Sequence, residues 1–542
     1  MSVSQRRTTS RAIALGSSGL LLALALPATA ASAAGGKGCD DRNNNTYAKL
    51  LECVTLDGVL EHERAFQKIA DNSTDPVYPD SRAAGTEGYA ASVDYVSELL
   101  EDAGYEVTKT PVEFRFDYPA VLQQLTPTEA EYDSGVFTNS GAGDVTGRVV
   151  PVDLALAPPR ASTSGCEAAD FTGLDFSGTS DIALVQRGTC NFAVKVQNAT
   201  AAGAEAVVIF NQGNTPDREG VALGTLAPYE ATVPVVGASF AAGEALAAAG
   251  STARVQVRQP ETRTDYNVIA ELPGENTGNV VMAGAHLDSV PAGPGINDNG
   301  SGSSALLETA LMMANSKPQN TIRFGWWAAE ELGLLGSAAY VEGLSQEERD
   351  RIALYMNYDM VASPNYVQMV YDSDQSTWTA PVAIPDGSNA IEDLYESYYT
   401  KVGVPYDDAE YSGRSDYEAF ILADIPSGGL FTGAEVVKTE EQAAIWGGTA
   451  GESFDPCYHQ ECDTIDNLAH DAFDVNSDLI AFAMLTFSYS TESVNGVPGK
   501  EVPGPPFELP APAGPEGTFE EAAGGGGLAH DHDHHHAHDT VA

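Results

Sequence analysis

The stretch that most constrains this chain is residues 280–298, VVMAGAHLDSVPAGPGIND. An apolar run, Val280 to Ala285, stops abruptly at His286. Turn chemistry follows at Pro291, Gly293, Pro294 and Gly295, and the segment ends on Asp298. This pattern reads as a buried strand that delivers a histidine at its carboxyl end, with a tight loop returning a carboxylate to the same place. In open α/β sheets the crevice beyond the strand carboxyl ends is where ligands bind. Later segments repeat the arrangement. Thr321 to Ala329 runs as a strand into Glu330-Glu331, Ile352 to Tyr358 runs into Asp359, and a turn-rich acidic stretch carries His459. The expected fold class is α/β, with a central, mostly parallel, twisted sheet.

The rest of the chain falls into blocks. Residues 1–33 read as a secretory signal: Arg6, Arg7 and Arg11, then a short apolar core, then the small residues Ala28-Thr29-Ala30 and Ala31-Ser32-Ala33. No later segment is apolar enough for a membrane span, so a secreted, extracellular protein is expected. Thr46–Asp71 has helical periodicity, a second helix runs from about Tyr89 to Ala103 with Gly104 at its C-cap position, and Tyr105–Phe116 alternates like a strand. Between 127 and 258 charged residues thin out and Gly, Ala, Val and Ser dominate. Asp181 to Gln212 there reads strand, turn, helix, strand. The residues Ala183-Leu184-Val185-Gln186-Arg187-Gly188-Thr189-Cys190-Asn191-Phe192, Lys195-Val196, Ala201-Ala202-Gly203-Ala204 and Pro234-Val235-Val236 resemble the protease-associated (PA) domain. That resemblance implies a small inserted domain that accompanies peptidases and bears no catalytic groups. The expected division is therefore a discontinuous catalytic domain, 34–126 and 259–495, around an insert at 127–258. The Pro- and Gly-rich residues 496–542, which end in a His/Asp run, are expected to be a disordered tail.

Asp and Glu outnumber Lys and Arg by 77 to 27, a formal charge of −50. That excludes a nucleic-acid partner, whose phosphates need a basic surface, and gives no attraction to anionic membranes. Six cysteines in an exported chain suggest disulfides. Proximity selects Cys39 with Cys53, Cys166 with Cys190, and Cys457 with Cys462. None of these couples has the CxxC spacing of a zinc site.

Six of the ten histidines, at positions 530, 532, 534, 535, 536 and 538, lie in the tail. His62 and His470 sit among polar neighbours in or near helices and are expected at the surface. His286 and His459 remain, both beside acid-rich turns. With Asp298, Glu331 and Asp359 they form an imidazole-plus-carboxylate set without thiolate, suited to catalytic zinc or another first-row divalent ion. Five ligands exceed the three that one catalytic zinc takes. Two Zn2+ sharing one bridging carboxylate account for all five. Adjacent side chains diverge in an extended or turning segment, so one of Glu330 and Glu331 binds metal and the other is free to move protons. Spacing alone leaves open which does which; Glu331 is taken as ligand and Glu330 as general base. Asp288, two residues beyond His286, faces the same side of an extended chain and is expected to fix the imidazole tautomer. Asp474 and Asp478, with nearby Asp466 and Asp471, fit either bound Ca2+ or a solvated acidic helix face.

The motifs AHLDSV, PGINDNGSGSSALLE, FGWWAAEELGLLGSAAYV, NYDM, YSGRSDYEAF, GGLFTGAE and DPCYHQECDTIDN together resemble the secreted dizinc aminopeptidases of the bacterial leucyl aminopeptidase and aminopeptidase Y group. The resemblance implies a three-layer zinc-peptidase fold. It places one zinc on His286, Asp298 and Asp359 and the other on Asp298, Glu331 and His459, with Glu330 as general base. It further implies that Tyr458 stabilises the tetrahedral intermediate and that Arg414 contacts substrate. Leu430 and Phe431 are candidates for an apolar side-chain pocket, or plain core residues. The implied activity is removal of N-terminal residues, large hydrophobic ones such as Leu, from peptides by a monomeric enzyme. A PA-containing carboxypeptidase is the rival. It needs cationic groups for a substrate carboxylate and usually a C-terminal helical domain. A glutaminyl cyclase with one zinc, a receptor-like relative with a decayed site, and a protein that captures metal through its tail are weaker alternatives.

Overall fold

The computed structural model describes residues 38, 39 and 42–518. The expected secretory signal, residues 1–33, and the His/Asp-rich run lie outside the described residues. Two sheets organise the chain. The first contains β1 (Glu106–Phe116) and, after a long excursion, β10 (Glu261–Leu272), β11 (Asn276–His286), β12 (Asn320–Trp327), β13 (Ile352–Tyr358), β14 (Met369–Tyr371), β15 (Asp407–Ala409) and β16 (Ser427–Phe431). Their order is β1-β10-β12-β11-β13-β16-β14-β15. The central four strands, β12, β11, β13 and β16, run parallel. Such strands are covered on both faces and read as near-continuous apolar runs; every residue of β13 is buried, and Trp326 and Trp327 are wholly so. Helices Gly302–Met313 and His470–Tyr489 lie in the apolar layer on one side. Helices Leu335–Gly343 and Tyr417–Leu422 pack with the smaller layer on the other. The architecture is three-layered, with helices on both faces of the first sheet, and carries a second, smaller sheet as an insert.

The second sheet is built from β2 (Val121–Thr126), β3 (Ala130–Glu131), β4 (Ser134–Val136), β5 (Gly143–Pro151), β6 (Asp181–Gln186), β7 (Ala206–Phe210), β8 (Val235–Ala238) and β9 (Thr252–Val257), in the order β3-β2-β9-β5-β6-β7-β8-β4. β2 belongs to this sheet, where it pairs with β9. The chain therefore leaves the catalytic sheet just after Phe116, not at residue 126. The alternation of β2 marks a strand, but nothing local to it names its partner. The exit and return lie side by side, since Phe116 is opposite Glu261 in the β1–β10 pair. There Arg263 lies over the ring of Phe116 and Arg258 over that of Tyr118.

Other expectations needed correction. Thr46–Asp71 is two helices, Tyr47–Leu51 and Leu56–Asn72, because Thr55 takes an extended conformation and caps the second by accepting from Gly58 N–H. His62 is not at the surface: it is 3% exposed, with Nδ1 2.7 Å from the Tyr95 hydroxyl and Nε2 3.3 Å from Glu308. Its polar sequence neighbours hid that it lies on the helix face turned inward. His470 is exposed. Residues 496–518 are ordered against the catalytic domain. Phe507 packs on Tyr47, Tyr398 and Phe482, Val502 and Leu509 touch the same core, and Gly514 N–H donates to the Tyr406 hydroxyl. A few apolar anchors on a chain that proline already restricts can fix an extended segment without helical or strand periodicity. The three cysteine couples are disulfides, Cys39–Cys53, Cys166–Cys190 and Cys457–Cys462.

Candidate active site and metal centre

The four parallel strands end on one edge, and the site lies there. His286 is the last residue of β11, Asp359 follows β13, and Glu330 and Glu331 come shortly after β12. Asp298 arrives on the loop that links β11 to helix Gly302–Met313. Gly295 makes that return with φ +60°, where a side chain would also collide with the Asp298 carbonyl. Gly302 lets the helix approach β13, since a β-carbon there would meet the Tyr358 carbonyl at 2.2 Å. The Asp298-Asn299 peptide is cis.

The geometry centres on Asp298. One carboxylate oxygen lies 3.3 Å from Nε2 of His286, and the other lies 3.2 Å from Nε2 of His459. Asp359 Oδ1 is 3.4 Å from His286 Nε2, and Glu331 Oε2 is 3.0 Å from His459 Nε2. Potential ligand atoms of His286, Glu330 and Asp359 lie within 4.8 Å of one another, as do those of Asp298, Glu331 and His459. The carboxylates are almost wholly buried, and Asp359 Oδ1 and Glu331 Oε1 have no hydrogen-bond partner. Unpartnered buried carboxylate oxygens beside imidazole nitrogens are what a divalent cation satisfies. The donor set, nitrogen and oxygen without sulfur, fits zinc.

With only the chain's own charges, the cluster is out of balance. Burial opposes the charged form of His286, but Glu330 and Asp359 outweigh it and raise the imidazole well above its usual value. Burial likewise opposes charge on His459, yet hydrogen bonds to Asp298 and Glu331 lift it to about 10. Burial, then Asp298, pushes Glu331 up to about 7. Burial pushes the Glu330 carboxyl well above its ordinary range; His286 pulls it back, and Asp416, Asp359 and Glu331 push it up again. A cation among these groups would reverse that logic by favouring every carboxylate in its charged form.

Asp288 acts differently from the sequence expectation. Its carboxylate stands 3.7 Å from His286 Nδ1, and the ring nitrogen instead faces the Asp288 backbone carbonyl at 3.1 Å. The carboxylate accepts the N–H groups of Glu330 and Glu331. Asp288 therefore orients the imidazole through its main chain and the Glu330-Glu331 peptide through its side chain. Leu430 also differs: it is fully buried in the core, whereas Phe431, on the opposite face of β16, lines the cleft. Tyr458 stacks on His459, and its hydroxyl accepts from Arg414, which also pairs with Glu435. Asp474 and Asp478 belong to none of the groups of acids or histidines close enough to share an ion among the described residues.

The cleft above these residues encloses about 800 Å³. Met360, Met369, Tyr371, Phe431 and Phe454 contribute its apolar wall, and Arg414 is the one Lys or Arg side chain lining it among the described residues.

Sequence reasoning missed the supports. Arg82, fully buried, donates to the carbonyls of Leu287, Pro294 and Gly295, and so braces the loop between His286 and Asp298. Asp463 accepts the N–H groups of Asn297 and Asp298. The Ser415 hydroxyl donates to Asp359. Ser415 and Asp463 lie inside motifs already singled out, which was an available signal; Arg82 lies in a small polar loop that carries none. Three backbone positions beside functional side chains are left-handed without being glycine: Ala329 at φ +54°, Met360 at +51° and His459 at +57°. Each costs on the order of 1–2 kcal/mol, which the surrounding contacts must offset.

Residues 267–484 match Peptidase family M28, and residues 145–246 match the PA domain. The chain is 46% identical to an aminopeptidase of Pseudomonas aeruginosa, over 83% of this chain and 84% of the relative. It is 41% identical to a probable leucine aminopeptidase 2 of Aspergillus fumigatus, over 77% and 81%. Among solved structures it resembles a zinc aminopeptidase from Bacillus subtilis with a TM-score of 0.53 and 25% identity, covering 78% of this chain and 93% of that one.

Proposed function

The chain belongs to peptidase family M28 and is a zinc aminopeptidase; from that premise we propose that it is an exported enzyme that holds two zinc ions and removes large apolar N-terminal residues, leucine foremost. The observation that carries the two-ion reading is the grip on Asp298, each of whose carboxylate oxygens faces a different histidine. In this reading His286, Asp359 and Asp298 would hold one ion, and Glu331, His459 and Asp298 would hold the other. When bound, the zinc pair supplies Lewis acidity to the attacking water and the scissile carbonyl.

The chain's own residues do the rest. Glu330 takes the proton from the attacking water and passes it to the leaving amine. Asp288 holds Glu330 in place through its N–H. The Tyr458 hydroxyl donates to the developing oxyanion, and Arg414 fixes its position. The substrate's free α-amine sits against the carboxylate cluster, which rejects a blocked N-terminus. Its side chain enters the wall formed by Met369, Tyr371, Phe431 and Phe454. A carboxypeptidase reading gains little support, because Arg414, the one Arg lining the cleft among the described residues, is already paired with Glu435. Three disulfides suit an oxidising, extracellular setting. No described helix is long and apolar enough to cross a membrane. We take the working enzyme to be a monomer.

The test is a panel of free and N-acetylated dipeptides, assayed with and without chelator. Free leucyl dipeptides are cleaved, acetylated ones are spared, and zinc restores chelated enzyme. Equal cleavage of acetylated substrates would refute the proposal.

A further inference from the structure

A second gathering of acids shares no residue with the proposed zinc ligands, although one of its members, Asp408, lines the same cleft. Glu392 and Glu396 stand one turn apart on helix Ser388–Val402, and Asp408 lies in β15. One oxygen from each comes within 4.8 Å of the others, and all three residues are buried. A second trio, Asp372, Asp374 and Glu392, shares Glu392 with the first. Like charges at i and i+4 destabilise a helix even in water, and burial makes the repulsion worse.

Glu396 and one oxygen of Asp408 have no hydrogen-bond partner among the described residues. Glu396 is 7% exposed and makes no hydrogen bond or ion pair with any described residue. Asp408 is 1% exposed; one oxygen accepts the hydroxyls of Ser376 and Thr377, and the other, Oδ1, has no partner. Glu392 receives only the Asp374 N–H. No described Lys or Arg forms an ion pair with any of the three.

We propose that Glu392, Glu396 and Asp408 form a structural site for a hard divalent cation of the calcium class, separate from the zinc centre. The donors are all carboxylate oxygens, without imidazole or thiolate, which disfavours zinc. Three carboxylates offer up to six oxygens in a flexible arrangement, which suits calcium better than the strict octahedron of magnesium. Without a cation these groups retain protons: burial, then Asp374, lifts Glu392 to about 9, and burial, then Asp408, lifts Glu396 to about 8. The ion would tie helix Ser388–Val402 to β15. Asp407, next to Asp408, receives the N–H of Gly517 and the hydroxyl of Thr518, and Ala409 and Glu410 line the cleft. The site would therefore steady one side of the substrate cleft.

The experiment uses the full chain loaded with zinc. Trp378 serves as antenna, because its indole N–H donates to the Asp408 carbonyl and its backbone N–H to Asp372. Terbium is titrated with excitation of tryptophan, and calcium or magnesium is then added as competitor. Sensitised emission is expected to saturate, to be displaced by calcium well before magnesium, and to need about ten-fold more terbium in Glu396→Gln. Saturating calcium is expected to raise the thermal midpoint of the wild type by about 2–4 °C and to leave that of Glu396→Gln unchanged. Glu392→Gln is the second variant, with the same expectation. A wild type whose midpoint ignores calcium overturns the site, even if a variant fails to fold. So does a folded variant that keeps the calcium response, since the carboxyls would then simply hold protons.

Discussion

Removing the Cys457–Cys462 disulfide tests how His459 is held. The bridge closes a loop over a sequence separation of 5 residues, with Tyr458 and His459 inside it. Closing a loop of that size removes about 7 cal/mol/K of chain entropy, or about 2 kcal/mol at 25 °C. The left-handed backbone of His459, φ +57°, adds on the order of 1–2 kcal/mol that the freed loop could release. On the two-ion reading, zinc held by His459, Glu331 and Asp298 should therefore bind about 30-fold to about 900-fold more weakly in the Cys457→Ser/Cys462→Ser variant. The lower end is expected, because hydrogen bonds from Cys457 N–H to Asp455 and from Gln460 N–H to the Cys457 carbonyl still shape the turn. The position built from His286 and Asp359 lies on the rigid sheet and should keep its ion. Elemental analysis after dialysis against graded chelator should therefore show one zinc leaving well before the other. Hydrolysis of leucyl-p-nitroanilide should fall in step with the first loss. A variant that loses both ions together, or that matches wild type in both zinc retention and turnover, would refute the reasoning.

Glu330→Gln should retain its zinc by elemental analysis yet lose about 10²–10⁴-fold in kcat, the usual worth of a positioned proton-transfer group. Phe431→Ala should raise KM for leucyl substrates about ten-fold with little change in Tm. Leu430→Ala should instead lower stability by about 2–5 kcal/mol in denaturant melts while leaving KM in place; the reverse pattern would return Leu430 to the pocket. Arg82→Lys cannot serve three carbonyls with one ammonium, and should cost about 2–4 kcal/mol of stability and reduce zinc affinity, read by melts and elemental analysis.

The residues proposed as ligands stand out in the sequence because of where they stand and because their types are scarce. His286 and Asp359 follow apolar runs that could only be buried strands, and once the tail is set aside few histidines remain to choose from. The choice between Glu330 and Glu331 was not legible from spacing. The fold separates them by placing Glu331 3.0 Å from His459 Nε2 and Glu330 3.9 Å from His286 Nε2, on a peptide that Asp288 grips from 42 and 43 residues away. Arg82 shows the limit more sharply. Its partners lie 205 to 213 residues along the chain, and no local pattern distinguishes a guanidinium that braces a loop from one in solvent. The acids at 392, 396 and 408 carry no such mark in the sequence and become unusual only when the fold buries them together. A side chain that binds an ion must match the chemistry of that ion, and this marks it in the sequence. A side chain that holds the first in place need only match a neighbour, and the fold alone decides which neighbour that is.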